Sequence, residues 1–214
     1  MTLTKKEVNK VLDLLESEYP EAECALNHGN VFELIVAVAL SAQTTDVSVN
    51  KVTPILFAKY KNPEELAKAN PIEVAEILKS IGMYKTKSKN IVNLAKQLVD
   101  EFDGVVPSTY DELIKLPGVG RKTANVVLSV GFLQQRIAVD THVFRVSNRI
   151  GIVKEKDVLK TELALMEAID ESRWSRTHHS LIFHGRNCCQ ARKPKCETCV
   201  IKELCEEGRN IGNE

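Results

Sequence analysis

The chain has 214 residues, with 29 Lys and Arg balancing 29 Asp and Glu to a formal net charge of zero. Its 43% hydrophobic and 27% charged residues exclude a disordered polymer, and 5% aromatics are too few for a surface built on base-stacking platforms. The length allows one large domain or two small ones, with a core that needs no disulfides.

Apolar spacing is helical almost throughout. Thr4 to Glu7 reads as a capping box ahead of Val8, Val11, Leu12 and Leu15. Leu34 to Leu40 is the longest apolar run and is far too short to span a bilayer. Asn62-Pro63 and Asn70-Pro71, each followed by acids, read as N-caps with proline at the first helical position. Ile91, Leu94, Ala95, Leu98 and Phe102 form another stripe, and Thr109 to Glu112 a second capping box whose short helix stops at Pro117. A helix is expected from Arg121 to about Val130, another from Thr141 to Ile150, and a later one marked by Leu159, Leu163, Met166 and Ile169. No stretch alternates with period two over a useful length, so the chain reads as all-α.

The N-terminal segment, Met1 to Glu7, lacks the apolar stretch of a secretory signal, and the chain is expected to be cytoplasmic with no signal or transit peptide. Six cysteines are then expected to be reduced, and five of them lie between residues 188 and 205. The charge is unevenly spread. Residues 1–23 carry three lysines against six acids, whereas 84–99 carry four lysines and no acid. Residues 115–149 carry six bases against Asp140 alone, and 173–195 carry six bases and no acid. These segments form either one electrostatic face or separate solvated helix surfaces.

Two short glycine-containing turns lead into positive charge: Ile81-Gly82-Met83-Tyr84, and Leu116-Pro117-Gly118-Val119-Gly120 before Arg121-Lys122. The second turn leaves the N–H groups and positive dipole end of the next helix exposed, an arrangement that grips a phosphate through the backbone; it is equally a plain helix corner. Lys122 sits where a cation is disfavoured, so it is either a nucleophile that loses its proton readily or a phosphate-binding cation. Asp140, following apolar Ile137 to Val139, is either a carboxylate emerging beside a reaction centre or the N-cap of the next helix, and the two roles are compatible. His142 reads as structural. Cys189, Cys196, Cys199 and Cys205 give C-x6-C-x2-C-x5-C, with Cys188 a competing first ligand and Cys24 a lone core cysteine. Only one C-x2-C hook is present, which favours four-iron chemistry over a zinc ribbon. Arg186, Arg192, Lys193 and Lys195 are expected to offset the cluster's charge.

Residues 40–46 (LSAQTTD), 116–127 (LPGVGRKTANVV), 139–146 (VDTHVFRV) and the cysteine tail, in that order, resemble the endonuclease III family of helix–hairpin–helix DNA glycosylases over nearly the whole chain. The resemblance implies a bifunctional DNA glycosylase and AP lyase in base excision repair, acting as a monomer on double-stranded DNA with damaged pyrimidines or abasic sites, with no membrane partner. It implies two helical domains flanking a DNA-binding cleft. A central barrel would span 23–133, with the helix–hairpin–helix at about 109–131, and an iron–sulfur domain would combine 1–22 with 134–214. Lys122 matches the family's Schiff-base lysine and Asp140 its catalytic aspartate. Gln43 matches the residue that fills the gap in the duplex, and Met83 stands where the family commonly has a leucine wedge. Gly118, Val119, Gly120 and Arg121 match the DNA-binding hairpin. Cys189, Cys196, Cys199 and Cys205 match the ligands of a [4Fe–4S] cluster. A non-enzymatic hairpin module would need neither Lys122 nor Asp140, and the related adenine-specific glycosylases lack the lysine. Purified protein is expected to be brown; colourless protein after anaerobic reconstitution would point to zinc instead.

Overall fold

The computed structural model describes residues 2–210, and no strand occurs among them. Twelve α-helices follow in order: α1 (Lys5–Glu18), α2 (Val31–Leu40), α3 (Asp46–Lys59), α4 (Pro63–Ala67), α5 (Pro71–Ile77), α6 (Tyr84–Phe102), α7 (Tyr110–Leu113), α8 (Arg121–Val126), α9 (Thr141–Ile150), α10 (Val158–Ala168), α11 (Trp174–Asn187) and α12 (Glu206–Asn210). They divide into two compact units, one from residues 24–133 and one from both chain ends, 1–23 with 134–214.

Most boundaries follow from local chemistry. The side chains of Thr4, Asn30, Thr45, Asn62, Asn70, Asp140 and Asp157 each accept a backbone N–H from the first turn they precede, and Thr4 with Glu7 completes a capping box. The box expected at Thr109 does not form. Its hydroxyl donates to the Glu112 carboxylate and caps no amide, so α7 is a single turn. The helix expected to run to Val130 is α-helical only to Val126 and continues as a wider π turn over Val127–Gly131.

In the 24–133 unit α2 is apolar on every side, and eight of its ten residues are buried. A helix of that kind belongs in the middle of a core. It packs on α3, α6, α8 and the π turn, and α6 packs on α4 and α5. The buried stripe on α6 contains Ile91, Leu94, Ala95 and Leu98 as the spacing predicts, with Val92 in addition and Phe102 only half-buried, and it begins with Lys87 and Ser88.

The unit made of both chain ends is centred on Val8, Val11, Leu12 and Leu15 of α1, Val143, Val146 and Ile150 of α9, Leu165, and Leu181 of α11. Two arginines of the α11 region fasten the N-terminal segment. Arg173 pairs with Asp13 at 2.8 Å and Glu16 at 2.7 Å. Arg176 donates to the carbonyls of Tyr19, Pro20 and Ala22. The helix α10 stands where expected but presents a different face. Of the expected stripe Ile169 is buried and Met166 half-buried, but Leu159 and Leu163 are 47% and 54% exposed, and Thr161 and Leu165 are buried in their place. Thr161 can be buried because its hydroxyl donates to the Asp157 carbonyl at 2.8 Å, leaving only its methyl to be packed.

Candidate functional site

The hairpin between α7 and α8 is shaped by its glycines. Gly118 has φ +77°, and a Cβ there would lie 3.1 Å from Cβ of Asn90, so a side chain is excluded by conformation and by space. The Val119 N–H closes the turn on the Leu116 carbonyl at 3.1 Å while its side chain is buried, leaving Val119 only a main-chain role. Gly120 is extended and serves as N-cap without a side chain, and α8 has no acid in its first turn. No N-cap side chain closes its first turn, and the half-buried Lys122 rises from that turn. Arg121 lies against the Tyr110 ring, 5.4 Å from its centroid, with Nη1 donating to the Tyr110 hydroxyl at 3.2 Å.

A second open helix start lies in the same unit. Met83 is the N-cap of α6, with φ 55°, no capping side chain and no acid in the first turn; it is 51% exposed. Gln43, also exposed, has φ 52° at the tip of the turn closed by the Thr44 N–H on the Ser41 carbonyl. The structure brings these two turns together, since a Cβ on Gly82 would sit 3.9 Å from the Gln43 carbonyl oxygen and from Thr44 Oγ1. Left-handed backbone at a residue with a side chain costs about 1–2 kcal/mol and is found mostly where function requires it.

Asp140 belongs to the other unit, where it caps α9. Its Oδ1 accepts from the amides of His142 and Val143, both at 2.8 Å, so the cap does not use Oδ2. His142 shares its Nδ1 with an Arg145 amino group at 3.2 Å, and burial lowers its pKa, which fits the structural role expected of it.

Cys188, Cys189, Cys196, Cys199 and Cys205 line one recess of about 360 Å³, counting its open mouth. Cys24 lies outside it and is half-buried, not a core residue. Burial pushes the Cys189, Cys196 and Cys205 thiols above the ordinary value, and Arg149 opposes this at Cys189. Arg149 Nη1 lies 3.8 Å from Cys189 Sγ, and the Gly208 amide donates to Cys205 Sγ at 3.4 Å. His184, held neutral by burial with a pKa of about 4, has Nδ1 3.1 Å from the Tyr19 hydroxyl and Nε2 3.7 Å from Cys199 Sγ. Five thiols around one recess, with cationic and N–H donors aimed at sulfur, fit an anionic iron–sulfur cluster that needs four of them. Cys188 also groups with His184 and Cys199, their ligand atoms within 4.8 Å of one another, while burial and Cys199 push its own thiol up to about 12.

Of the four bases expected to offset the cluster's charge, Arg186, Arg192, Lys193 and Lys195, all are exposed and Lys195 lines the recess. Two further bases touch the loop from outside it. The contacts come from α9: Arg145 donates to the carbonyls of Gly185 at 2.9 Å and Cys189 at 3.1 Å, and Arg149 to those of Gln190 at 2.7 Å and Ala191 at 3.2 Å. Their i, i+4 spacing puts both on one face of α9 and was the available signal. Lys87 was also missed as more than one charge in a basic run, although it falls four residues before Ile91 on the buried stripe.

Comparison with known proteins gives a consistent result. The family model described as HhH-GPD superfamily base excision DNA repair protein matches residues 36–171, and that described as the iron-sulfur binding domain of endonuclease III matches 189–205. The chain is 52% identical to endonuclease III of Bacillus subtilis (strain 168), over 97% of this chain and 95% of that protein. It is 47% identical to endonuclease III of Rickettsia conorii, over 95% and 97%. A trapped endonuclease III–DNA covalent intermediate superposes with TM-score 0.93 at 48% identity, covering 98% of this chain and 99% of that one. A thermostable thymine-DNA glycosylase, at 24% identity and TM-score 0.85, shares the fold over 96% of this chain and 98% of that one.

Asp140→Ala is expected to lower stability by about 1 kcal/mol through loss of the cap, and Asp140→Asn by much less because its amide oxygen still accepts. Thermal melting of the two variants checks this.

Proposed function

The chain belongs to the endonuclease III family of HhH-GPD base excision DNA repair proteins, and from that membership we propose how its own residues carry out the reaction. It is a DNA glycosylase with AP lyase activity that carries a [4Fe–4S] cluster. We assign oxidised pyrimidines and abasic sites in double-stranded DNA as its substrates. The observation that carries the reading is Lys122 on the first turn of an uncapped helix, directly after Gly118-Val119-Gly120.

A base inside the stack is out of reach, so the target nucleotide is flipped out, with Gln43 and Met83 filling the space it leaves; the unstacking costs about a few kcal/mol. The amides of the hairpin and Arg121 hold backbone phosphate, which positions the sugar without reading sequence. The Lys122 amine attacks C1′ as the glycosidic bond breaks and its electron pair leaves with the base. One proton of the bonded nitrogen then passes to O4′ as the C1′–O4′ bond breaks, and the freed nitrogen lone pair opens the sugar ring to a Schiff base. Loss of a C2′ proton then expels the 3′ phosphate, and water hydrolyses the imine to return the lysine. Asp140, whose Oδ2 the cap does not use, supplies a carboxylate that balances positive charge developing on the sugar.

Cys189, Cys196, Cys199 and Cys205 would hold the cluster; the match to the iron–sulfur family model begins at Cys189 and ends at Cys205, which supports Cys189 over Cys188 as first ligand. When bound, the cluster cross-links the loop and so fixes its basic side chains. We further propose that the protein works as a monomer on nucleoid DNA in the cytoplasm; no helix among the described residues is long and apolar enough to cross a membrane.

Borohydride is expected to trap a covalent protein–DNA adduct on abasic-site duplex, and Lys122→Gln to abolish it while the brown colour and melting temperature stay as in the parent. An adduct that survives the substitution would overturn the assignment of Lys122.

A further inference from the structure

Lys87 is 5% exposed, on the buried face of α6. Burying an ammonium is costly unless it is paired, yet no carboxylate faces it among the described residues, and burial pulls its pKa down without an opposing charge. Its one side-chain partner is a neutral hydroxyl, Thr44 Oγ1, at 2.6 Å. That hydroxyl donates onward to the Ala42 carbonyl at 3.4 Å, so the chain of bonds ends inside the turn that carries Gln43. At its other end, the Lys87 amide donates to the carbonyl of Met83 at 3.0 Å. One residue thus touches both turns whose tips hold Gln43 and Met83 in the left-handed conformation, and Gly82 permits the close approach between them. A lysine retained at such a cost for one neutral hydrogen bond needs a reason beyond stability, since replacing buried charge by an apolar side chain of similar volume is often neutral or stabilising.

We propose that Lys87 is a positioning residue that locks the Gln43 turn to the Met83 turn through Thr44, so that both side chains enter the duplex as one rigid unit. The inference rests on the reading of Gln43 and Met83 as the residues that fill the flipped-out gap. Two such probes held at a fixed spacing enter both strands without a separate ordering step, and misplacement of either weakens the flipped state.

The test compares cleavage of an abasic site in duplex DNA with cleavage of the same site in a single strand, where there is no gap to fill. Lys87→Met and Thr44→Val, each with its cluster intact, are expected to lose about 10–100-fold on duplex and no more than about twofold on single strand, with the double variant no worse than either alone. Lys87→Met is expected to melt no lower than the parent. Thr44→Val removes the same bond without altering the core, so the result does not depend on how Lys87→Met folds. Equal losses on both substrates, or duplex cleavage at the parental rate in both variants, would overturn the proposal. Gln43→Ala run alongside separates the two levels. If it shows the duplex-specific loss while Lys87→Met does not, the inference fails and the reading of the turn stands. If Gln43→Ala leaves duplex cleavage untouched, both fail.

Discussion

No N-cap side chain accepts from the first turn of α8, because Gly120 stands at the position that Thr, Asn or Asp fills ahead of α1 to α5, α9 and α10. A cap at any of those helices is worth about 0.5–2 kcal/mol, and the hairpin forgoes it. The same omission recurs at Met83 ahead of α6. The starts of α6 and α8 lie in one unit, and each follows a turn with backbone at positive φ. The positive end of a helix without a capping side chain favours an anion, and Lys122 stands on that first turn. The proposed nucleophile and the hairpin glycines thus meet at a helix start that has no capping side chain.

Asp140 illustrates the opposite arrangement, since a side chain that caps a helix is held in one orientation by two short bonds. The cap takes Oδ1 and does not use Oδ2, the oxygen to which the proposed function assigns the chemistry. The cluster loop uses a further device. Its irregular backbone is pinned by Arg145 and Arg149, which donate to successive carbonyls, and the same Arg149 lies near a ligand sulfur. Guanidinium forks suit this work because they satisfy several acceptors from one rigid plane.

Caps, helix positions and the four-cysteine spacing were legible in the sequence because they depend on residues a few positions apart. Thr109 misled because its neighbour Glu112 captured the hydroxyl that would have bonded the backbone. The α10 stripe misled because Thr161 hides its polar atom within its own helix and so competes with leucine for the core. Lys87 and the α9 arginines escape a charge count for a different reason. Charge sums treat every lysine and arginine as solvated, whereas these three act by being removed from water against partners 40 or more residues away, as with Lys87 on Thr44 and Arg145 on Gly185. The zero net charge has the same limit: the sum conceals which cations are exposed to a phosphate backbone and which are consumed inside the fold.

The central claim is that Lys122, presented by the uncapped start of α8, forms the covalent bond to the sugar. The most direct measurement is peptide mapping by mass spectrometry of the adduct formed with abasic-site duplex and reduced by borohydride. The account predicts the added mass of the reduced sugar remnant on Lys122. The same mass on Lys87, on the N-terminal amine or spread over several lysines would contradict it.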